Sequence, residues 1–138
     1  KLGGAIDVNT TRVNAASNQD MSTYTLPANS LSSDGACLSV VAIFSGAGDL
    51  YAGFGAANIN FFAGAIDKGI VKMVVVRTGT SSFKFAGILR FVGDGSGGTK
   101  HVNYSTGTDS LSSNQIMRFY TGPASNGIQE IMLTKLLN

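Results

Sequence analysis

Turn-forming residues interrupt this chain at short and even intervals. Its 18 glycines, together with Ser, Thr, Asn and Asp, break the apolar runs about every 8 to 12 residues, a spacing typical of a β-sandwich or a barrel. Helical periodicity is weak throughout the sequence. No repeat with a period of about 20 to 50 residues is visible, which argues against a solenoid or a propeller. The sequence therefore predicts an all-β domain.

Eight principal strands are predicted from the apolar runs, and two weaker ones precede them. The principal strands cover residues 36–45, 50–55, 58–63, 69–78, 82–92, 99–105, 114–121 and 127–137, and the weaker ones lie near 4–8 and 21–25. Eight is the strand number of a double-sheet jelly roll, so we expect an eight-stranded antiparallel jelly-roll sandwich. Residues 1–138 form one domain, with 1–20 as an entry segment or linker. Because the chain begins with Lys1 and not Met, we expect a C-terminal fragment of a longer protein.

Two of the predicted strands are apolar on both faces. Residues 38–44 read LSVVAIF, and the last strand reads IQEIMLTKLL from residue 128. The first and last principal strands of a jelly roll are neighbours, so one sheet is expected to have an apolar outer face, which indicates an interface. Alternation divides the residues of these two strands into two sets, one for the core and one for the interface, but it does not decide which set lies in the core. The sets are Val41, Ile43, Ile131 and Leu133, and Val40, Ala42, Ile128 and Met132.

Charged side chains are scarce and dispersed. Only 13% of the residues are charged and the formal net charge is +2, which leaves few charges to cover a monomer's surface and favours an oligomer. The ten Lys and Arg residues form no run, so nucleic acid is not an expected partner. No apolar run approaches the roughly 20 residues of a membrane-spanning helix.

Motifs that carry chemistry are absent from the sequence. His101 is the only histidine and Cys37 the only cysteine, so no metal site with ligand spacing is expected, and Cys37 is predicted to be a buried apolar residue. The glycine-rich segment GDGSGG at residues 93–98 lacks the GK[ST] of a phosphate-binding loop and is predicted to be a hairpin tip. The acidic residues lie mostly in predicted turns. We therefore predict neither an enzyme nor a cofactor.

Aromatic residues are predicted to serve mainly in packing. Trp is absent, and most of the eight Phe lie on strand faces that must fill the core. The better candidates for exposed or interfacial rings are Tyr51, Tyr104, Tyr120 and the Phe61–Phe62 pair, because a Tyr hydroxyl tolerates a wet edge.

The order of several segments resembles a family of viral proteins. These are TYTLPANSLSSDG at residues 23–35, the apolar strand after it, YAGFG at 51–55, VVRTGT at 75–80 and LSSN at 111–114. Together they resemble bacteriophage virion domains with a jelly-roll fold, found at the distal ends of tail fibres and tail needles, some of which are similar to the trimeric tumour necrosis factor fold. The resemblance runs from about Thr23 to the C-terminus.

This resemblance implies a homotrimeric knob in the virion, outside cells, at the tip of a phage tail needle or tail fibre. Such a knob attaches to a bacterial cell-surface glycan or protein or helps to penetrate the envelope, with transient membrane contact. The candidate trimer-interface residues are Val40, Ala42, Ile128, Glu130 and Met132. Glu130 is expected to meet Arg12, Arg118 or Lys135 of a neighbouring subunit, or else to lie in water at a sheet edge.

Host contact is expected on the connecting loops, since the sheets are occupied by core and interface. The loops are 95–103, 63–68 and 122–126, and the candidate contact residues are Asp67, Lys100, His101 and Tyr104.

Two alternative functions stay open. One is a surface-glycan hydrolase or carbohydrate-binding module, and the other is a cytokine-like or adhesion ligand, which shares the fold.

Overall fold

A computed structural model describes the backbone of residues 5–9, 18–47, 50–62, 65–93, 96–122 and 130–137, and side chains within 18–43, 50–60, 69–90 and 106–122. This part of the chain forms ten β-strands, and it contains no helix long and apolar enough to cross a membrane. The strands are β1 (Ala5–Asn9), β2 (Asp20–Leu26), β3 (Cys37–Ala47), β4 (Leu50–Phe54), β5 (Ala57–Phe62), β6 (Ala65–Gly79), β7 (Ser82–Gly93), β8 (Ser96–Gly107), β9 (Gln115–Thr121) and β10 (Glu130–Leu137).

The strands form two antiparallel sheets. The six-stranded sheet has the order β1-β10-β3-β6-β7-β8, and the four-stranded sheet has the order β2-β9-β4-β5. The predicted all-β class is confirmed. The eight predicted principal strands correspond to β3 through β10, and the predicted pairing of β3 with the last strand is present. The described residues contain ten strands and not eight, because the two weaker segments also join the sheets: β1 pairs with β10 and β2 with β9.

The hydrophobic core lies between the two sheets, an arrangement consistent with a β-sandwich. In the strands whose side chains are described, alternate residues enter it, as the period of two requires. Phe54 of β4 and Phe83 of β7 meet edge to face across the core, with ring centroids 4.9 Å apart and an interplanar angle of 82°. Among the described residues, the largest fully buried side chains come from both sheets and, with Leu31, from the connection between β2 and β3: Phe54, Phe83, Phe85, Phe119, Met21, Leu31, Leu38, Leu50, Met73 and Leu89.

The connection between β2 and β3 is held against β6 by Arg77. Its guanidinium pairs with Asp34 at 3.0 Å and donates a hydrogen bond to the carbonyl oxygen of Leu31 at 2.8 Å. The backbone N–H of Gly35, at a positive φ of 86°, donates to the Arg77 carbonyl at 2.9 Å. The connection between β2 and β3 is therefore held in place at both Asp34 and Gly35, and the buried Leu31 joins it to the core.

A hairpin of β7 and β8 widens the six-stranded sheet beyond β6. Strand β5 of the other sheet contacts both β7 and β8, so the hairpin also covers one side of the core. Gly107 ends β8 opposite Phe83, and a Cβ placed there would overlap the Phe83 ring. The aromatic ring thus packs directly on the backbone, which requires glycine at this position.

Candidate functional sites on the two sheet faces

The outer face of the six-stranded sheet carries a patch of exposed isoleucines. Ile43, Ile70 and Ile88 are 46%, 51% and 40% exposed, and in the described part of the chain they are three of the four exposed large hydrophobic residues. Ile43 and Ile70 are directly paired between β3 and β6. We call Ile43, Ile70 and Ile88 the isoleucine patch. An apolar outer face was predicted for this sheet from β3 and the last strand; the exposed Ile43 of β3 agrees with it, and the side chains of β10 lie outside the described residues.

Cations border the isoleucine patch. Ile70 pairs with the exposed Arg90, and Ile88 pairs with the exposed Lys72. Any partner that covers the patch must therefore supply opposite charge or leave these cations in water, because burying an unpaired charge is strongly unfavourable.

Two of the predicted interface residues, Val40 and Ala42, lie in the core and not on the outer face. Val40 and Ala42 are fully buried in the core of the single chain, so they have no surface left for a neighbouring subunit. The outward phase of β3 is instead the alternative set, with Val41 half-buried and Ile43 exposed. Cys37 shares this phase and is half-buried, where a buried residue was predicted. Within β3, alternation separated the two faces correctly. The match to β10 was wrong, because the register pairs Met132 with Ile43 and Leu133 with Ala42, so each predicted set combines residues of both faces.

The remaining interface candidates lie in or near β10. The backbone register pairs Met132 with Ile43 and Glu130 with Ser45. The side chains of Met132 and Glu130, and the whole of Ile128, lie outside the described residues. Their contacts stay predictions.

The predicted host-contact residues belong mostly to strands and not to loops. Lys100, His101 and Tyr104 lie within β8, and Asp67 lies within β6. Register shifts from Ile88–Val102 to Leu89–Lys100, which leaves His101 as the extra residue of a bulge. The assignment of residues 95–103 to a loop was wrong, whereas the strand predicted at 99–105 is present within β8, an edge strand in which glycine and polar residues are tolerated. These four side chains, and residues 123–126, lie outside the described part.

The outer face of the four-stranded sheet is polar and aromatic, in contrast to the isoleucine patch. In β9, Met117 and Phe119 face the core, whereas Ile116, Arg118 and Tyr120 face outward. The register aligns two rows of residues across the four strands. One row is Thr23, Arg118, Gly53 and Asn58, and the other is Asp20, Tyr120, Tyr51 and Asn60.

Arg118 lies at the centre of this face. An Nη1 atom of its guanidinium is 3.7 Å from Oδ1 of Asp20, and its guanidinium carbon is 4.4 Å from the centroid of the Tyr120 ring. Gly53 makes room for it, because a Cβ there would lie 3.3 Å from Cγ and Nε of Arg118 and 2.8 Å from Oδ1 of Asn58. The absence of a side chain at Gly53 thus lets Arg118 lie close to the sheet.

Two tyrosines support Arg118 from the neighbouring row. Tyr51 and Tyr120 stack with ring centroids 5.1 Å apart and an interplanar angle of 15°, and the Tyr120 hydroxyl donates to Oδ1 of Asn58 at 3.1 Å. Burial raises the pKa of Tyr120. The nearby Arg118 lowers this pKa, whereas Tyr51 and Asp20 raise it further. Tyr120 is therefore a neutral donor at physiological pH, and its ring and hydroxyl are both held in place.

Arg118 and Asp20 line an open groove of about 290 Å³, together with Thr23, Thr25, Gly55 and Ile116. We call this the β2–β9 groove. Ile116 is 53% exposed and supplies an apolar wall. The β4–β5 turn beside it is fixed by Asp109, whose Oδ2 accepts a 2.7 Å hydrogen bond from the Ala56 N–H. Gly55 adopts a positive φ of 56°, and a Cβ on it would overlap the Asp109 carboxylate.

The residues that line the groove combine one carboxylate with guanidinium, hydroxyl and apolar groups. Asp20 is the only carboxylate among the residues that line it, whereas glycoside hydrolysis ordinarily needs two. Elsewhere in the described chain, no three His, Cys, Asp or Glu side chains are grouped as metal ligands would be.

Sequence reasoning found only part of this face. Tyr51 and Tyr120 were identified as candidate exposed or interfacial rings, and both lie half-buried on the outer face. The alternation of QIMRFYT would have placed Arg118 beside Tyr120. Asp20 and Asn58 carry no such signal, because their positions depend on the register of strands far apart in the sequence.

No protein-family model matches the chain, and neither the curated proteins nor the solved structures contain a significant match to it.

Proposed function

We propose that this protein is a trimeric jelly-roll knob at the tip of a phage tail needle or tail fibre, which attaches the virion to a bacterial surface. The strand order supports the fold. If the β7–β8 hairpin is set aside, eight strands remain, and they can be renumbered 1 to 8 along the chain. In this numbering the larger sheet has the order 1-8-3-6 and the smaller sheet has the order 2-7-4-5. Two nested Greek keys produce this order in a jelly roll.

The observation that carries the proposal is the isoleucine patch on the outer face of β3, β6 and β7. Three exposed isoleucines on one sheet face are costly in water, and covering them on a second and third copy of the chain removes that apolar area. The low charged fraction of 13% favours the same solution. In the resembling virion domains, and in the tumour necrosis factor fold, three copies associate around one axis.

The cations beside the patch specify what the neighbouring subunit must contribute. Lys72 and Arg90 are exposed on the patch border, and Glu130 begins β10 in the same sheet. We assign Glu130 as the acidic partner of these cations across the subunit boundary. This assignment agrees with the expectation that Glu130 meets a neighbour's cation, and it replaces the expected partners with Lys72 or Arg90.

The oligomeric state is tested by sedimentation of the unmodified chain and of Ile70→Lys. The unmodified chain is expected to be a trimer at micromolar concentration, and the variant a monomer. Ile116→Lys is the matched control, because Ile116 is equally exposed but lies on the other sheet. An unmodified chain that sediments as a monomer would overturn the trimer.

Attachment is tested separately by flow cytometry of the fluorescently labelled chain on intact bacteria. Three copies on one particle raise the effective concentration at the cell surface, so the trimer should bind at least about 100-fold more tightly than monomeric Ile70→Lys. Labelled serum albumin provides the background. Equal binding by trimer and monomer, or background binding to a broad panel of Gram-negative and Gram-positive cells, would contradict attachment through this module.

A further inference from the structure

We propose that the β2–β9 groove binds a neutral saccharide unit of a bacterial surface polymer. This inference rests on the proposed attachment function and names the chemical class of its partner. It also moves the expected contact from the connecting loops to the outer face of the four-stranded sheet. The groups that carry it are Asp20, Arg118, Thr23, Thr25 and Ile116, which line the groove together.

The charged groups of the groove have hydrogen-bonding capacity left for a ligand. Within the described residues, the Arg118 guanidinium makes only the ion pair with Asp20 and the contact with the Tyr120 ring. The 3.7 Å separation of Nη1 and Oδ1 exceeds a hydrogen bond. Arg118 therefore presents N–H donors, and the Asp20 carboxylate presents acceptors, on one open surface.

This pairing of donor and acceptor matches adjacent hydroxyl groups of a sugar ring. One hydroxyl accepts from the guanidinium while its neighbour donates to the carboxylate, so both side chains are satisfied without a net charge on the ligand. The Thr23 and Thr25 hydroxyls can donate or accept along the same groove. An acidic sugar at Arg118 would meet the Asp20 carboxylate as well, and the repulsion between like charges disfavours it.

Apolar surface and size agree with the same ligand. Ile116 is 53% exposed in the groove and can pack against the C–H face of a sugar ring. The volume of about 290 Å³ is at the lower end of small-molecule sites, so the groove suits one sugar unit, with the rest of the polymer leaving through its open side.

The groove is also preorganised. The Tyr51–Tyr120 stack, the Tyr120–Asn58 hydrogen bond and the bare backbone at Gly53 hold Arg118 on the sheet before any ligand arrives. A fixed guanidinium loses little side-chain entropy on binding, which favours affinity for a small ligand.

The test uses the full chain with labelled isoleucine methyl groups, followed by NMR during titration with neutral trisaccharides of glucose, galactose or mannose and with a galacturonate trisaccharide. At least one neutral trisaccharide should shift the Ile116 methyl and leave Ile70 unchanged. Arg118→Gln should weaken this binding about tenfold or more, since hydrogen bonds to charged groups are removed. Thermal unfolding of the variant checks its fold.

Asp20→Asn is a second and more specific variant, because it removes the negative charge of the side chain and keeps the shape of that side chain. We expect this variant to accept the galacturonate trisaccharide, which the unmodified groove should reject. Stronger binding of galacturonate than of neutral sugars by the unmodified chain would overturn the neutral ligand, and no shift of Ile116 with any sugar would overturn the site. The proposed attachment survives if Arg118→Gln trimers still bind cells. Conversely, if the unmodified chain is a monomer and its Ile116 methyl signal still shifts with sugar, the saccharide site stands and the proposed trimeric knob is wrong.

Discussion

Replacing Ile70 by Lys should dissociate the proposed trimer. Full burial of an isoleucine side chain contributes about 1.5 to 3 kcal/mol, and 51% of Ile70 is exposed in the single chain. An interface that covers the rest gains about 1 kcal/mol per subunit from this residue. The new ammonium would also lie opposite Arg90 and two residues from Lys72 in the same strand.

Three identical substitutions act together in a trimer. If desolvation and repulsion of the new charge add about 1 to 2 kcal/mol per subunit, the trimer loses about 6 to 9 kcal/mol in total. At about 1.4 kcal/mol for each factor of ten, the trimer dissociation constant rises about 10⁴- to 10⁶-fold. The midpoint concentration of a trimer varies as the square root of that constant, so it rises about 10²- to 10³-fold.

Sedimentation velocity at micromolar concentration measures this change directly. The variant should sediment as a monomer, while Ile116→Lys, altered at an isoleucine of 53% exposure on the other sheet, should remain trimeric. Circular dichroism verifies that both variants keep their β-structure. If Ile70→Lys remains trimeric, or if both substitutions dissociate the trimer equally, the isoleucine patch is not the interface and the reasoning from exposure fails.

Three further predictions concern single contacts. Gly107→Ala should lower the free energy of unfolding by about 1 to 3 kcal/mol, because the added methyl overlaps the Phe83 ring; urea denaturation measures it, and an unchanged midpoint would contradict the close packing. Arg77→Ala should destabilise by about 1 to 3 kcal/mol through loss of its hydrogen bonds, including that to Asp34; Asp34→Ala, which removes only an exposed partner, should have a smaller effect. Because the pKa of Tyr120 is raised above 10.0, its contribution to stability is present below pH 10.0 and is lost as the pH rises through the folded-state pKa. Tyr120→Phe should reduce this alkaline loss, as pH-dependent unfolding would show.

Strand positions were predictable because they depend on local pattern. Every described strand coincides with a predicted principal or weaker segment, including β1 and β2. The glycine-rich beginning of β8 was harder to predict from the sequence, since its Gly and Ser residues are typical of a turn. What makes it a strand is a long neighbouring strand, β7, whose backbone groups it pairs.

The candidate groove shows why sites are harder to predict than strands. The phase of β9 places Arg118 on the same face as Tyr120, and this was readable from the sequence. The ion pair with Asp20 joins residues that are far apart in the sequence, and it exists because β2 and β9 pair in one particular register. The burial of Val40 and Ala42 likewise depends on which face of β3 the second sheet covers.

The pairing of distant strands has a consequence for the order in which the chain folds. Strand β1 pairs with β10, so Ala5 lies opposite Leu136, and the Gln19 N–H bonds Thr121 across a separation of 102 residues. Such non-local pairings close slowly, because loop-closure entropy is lost before the contacts form. The consecutive strands β6, β7 and β8 form a local meander, which we expect to form early in folding. Strand β10 must pair with both β1 and β3, so the larger sheet can be completed only after residues 130–137 have left the ribosome.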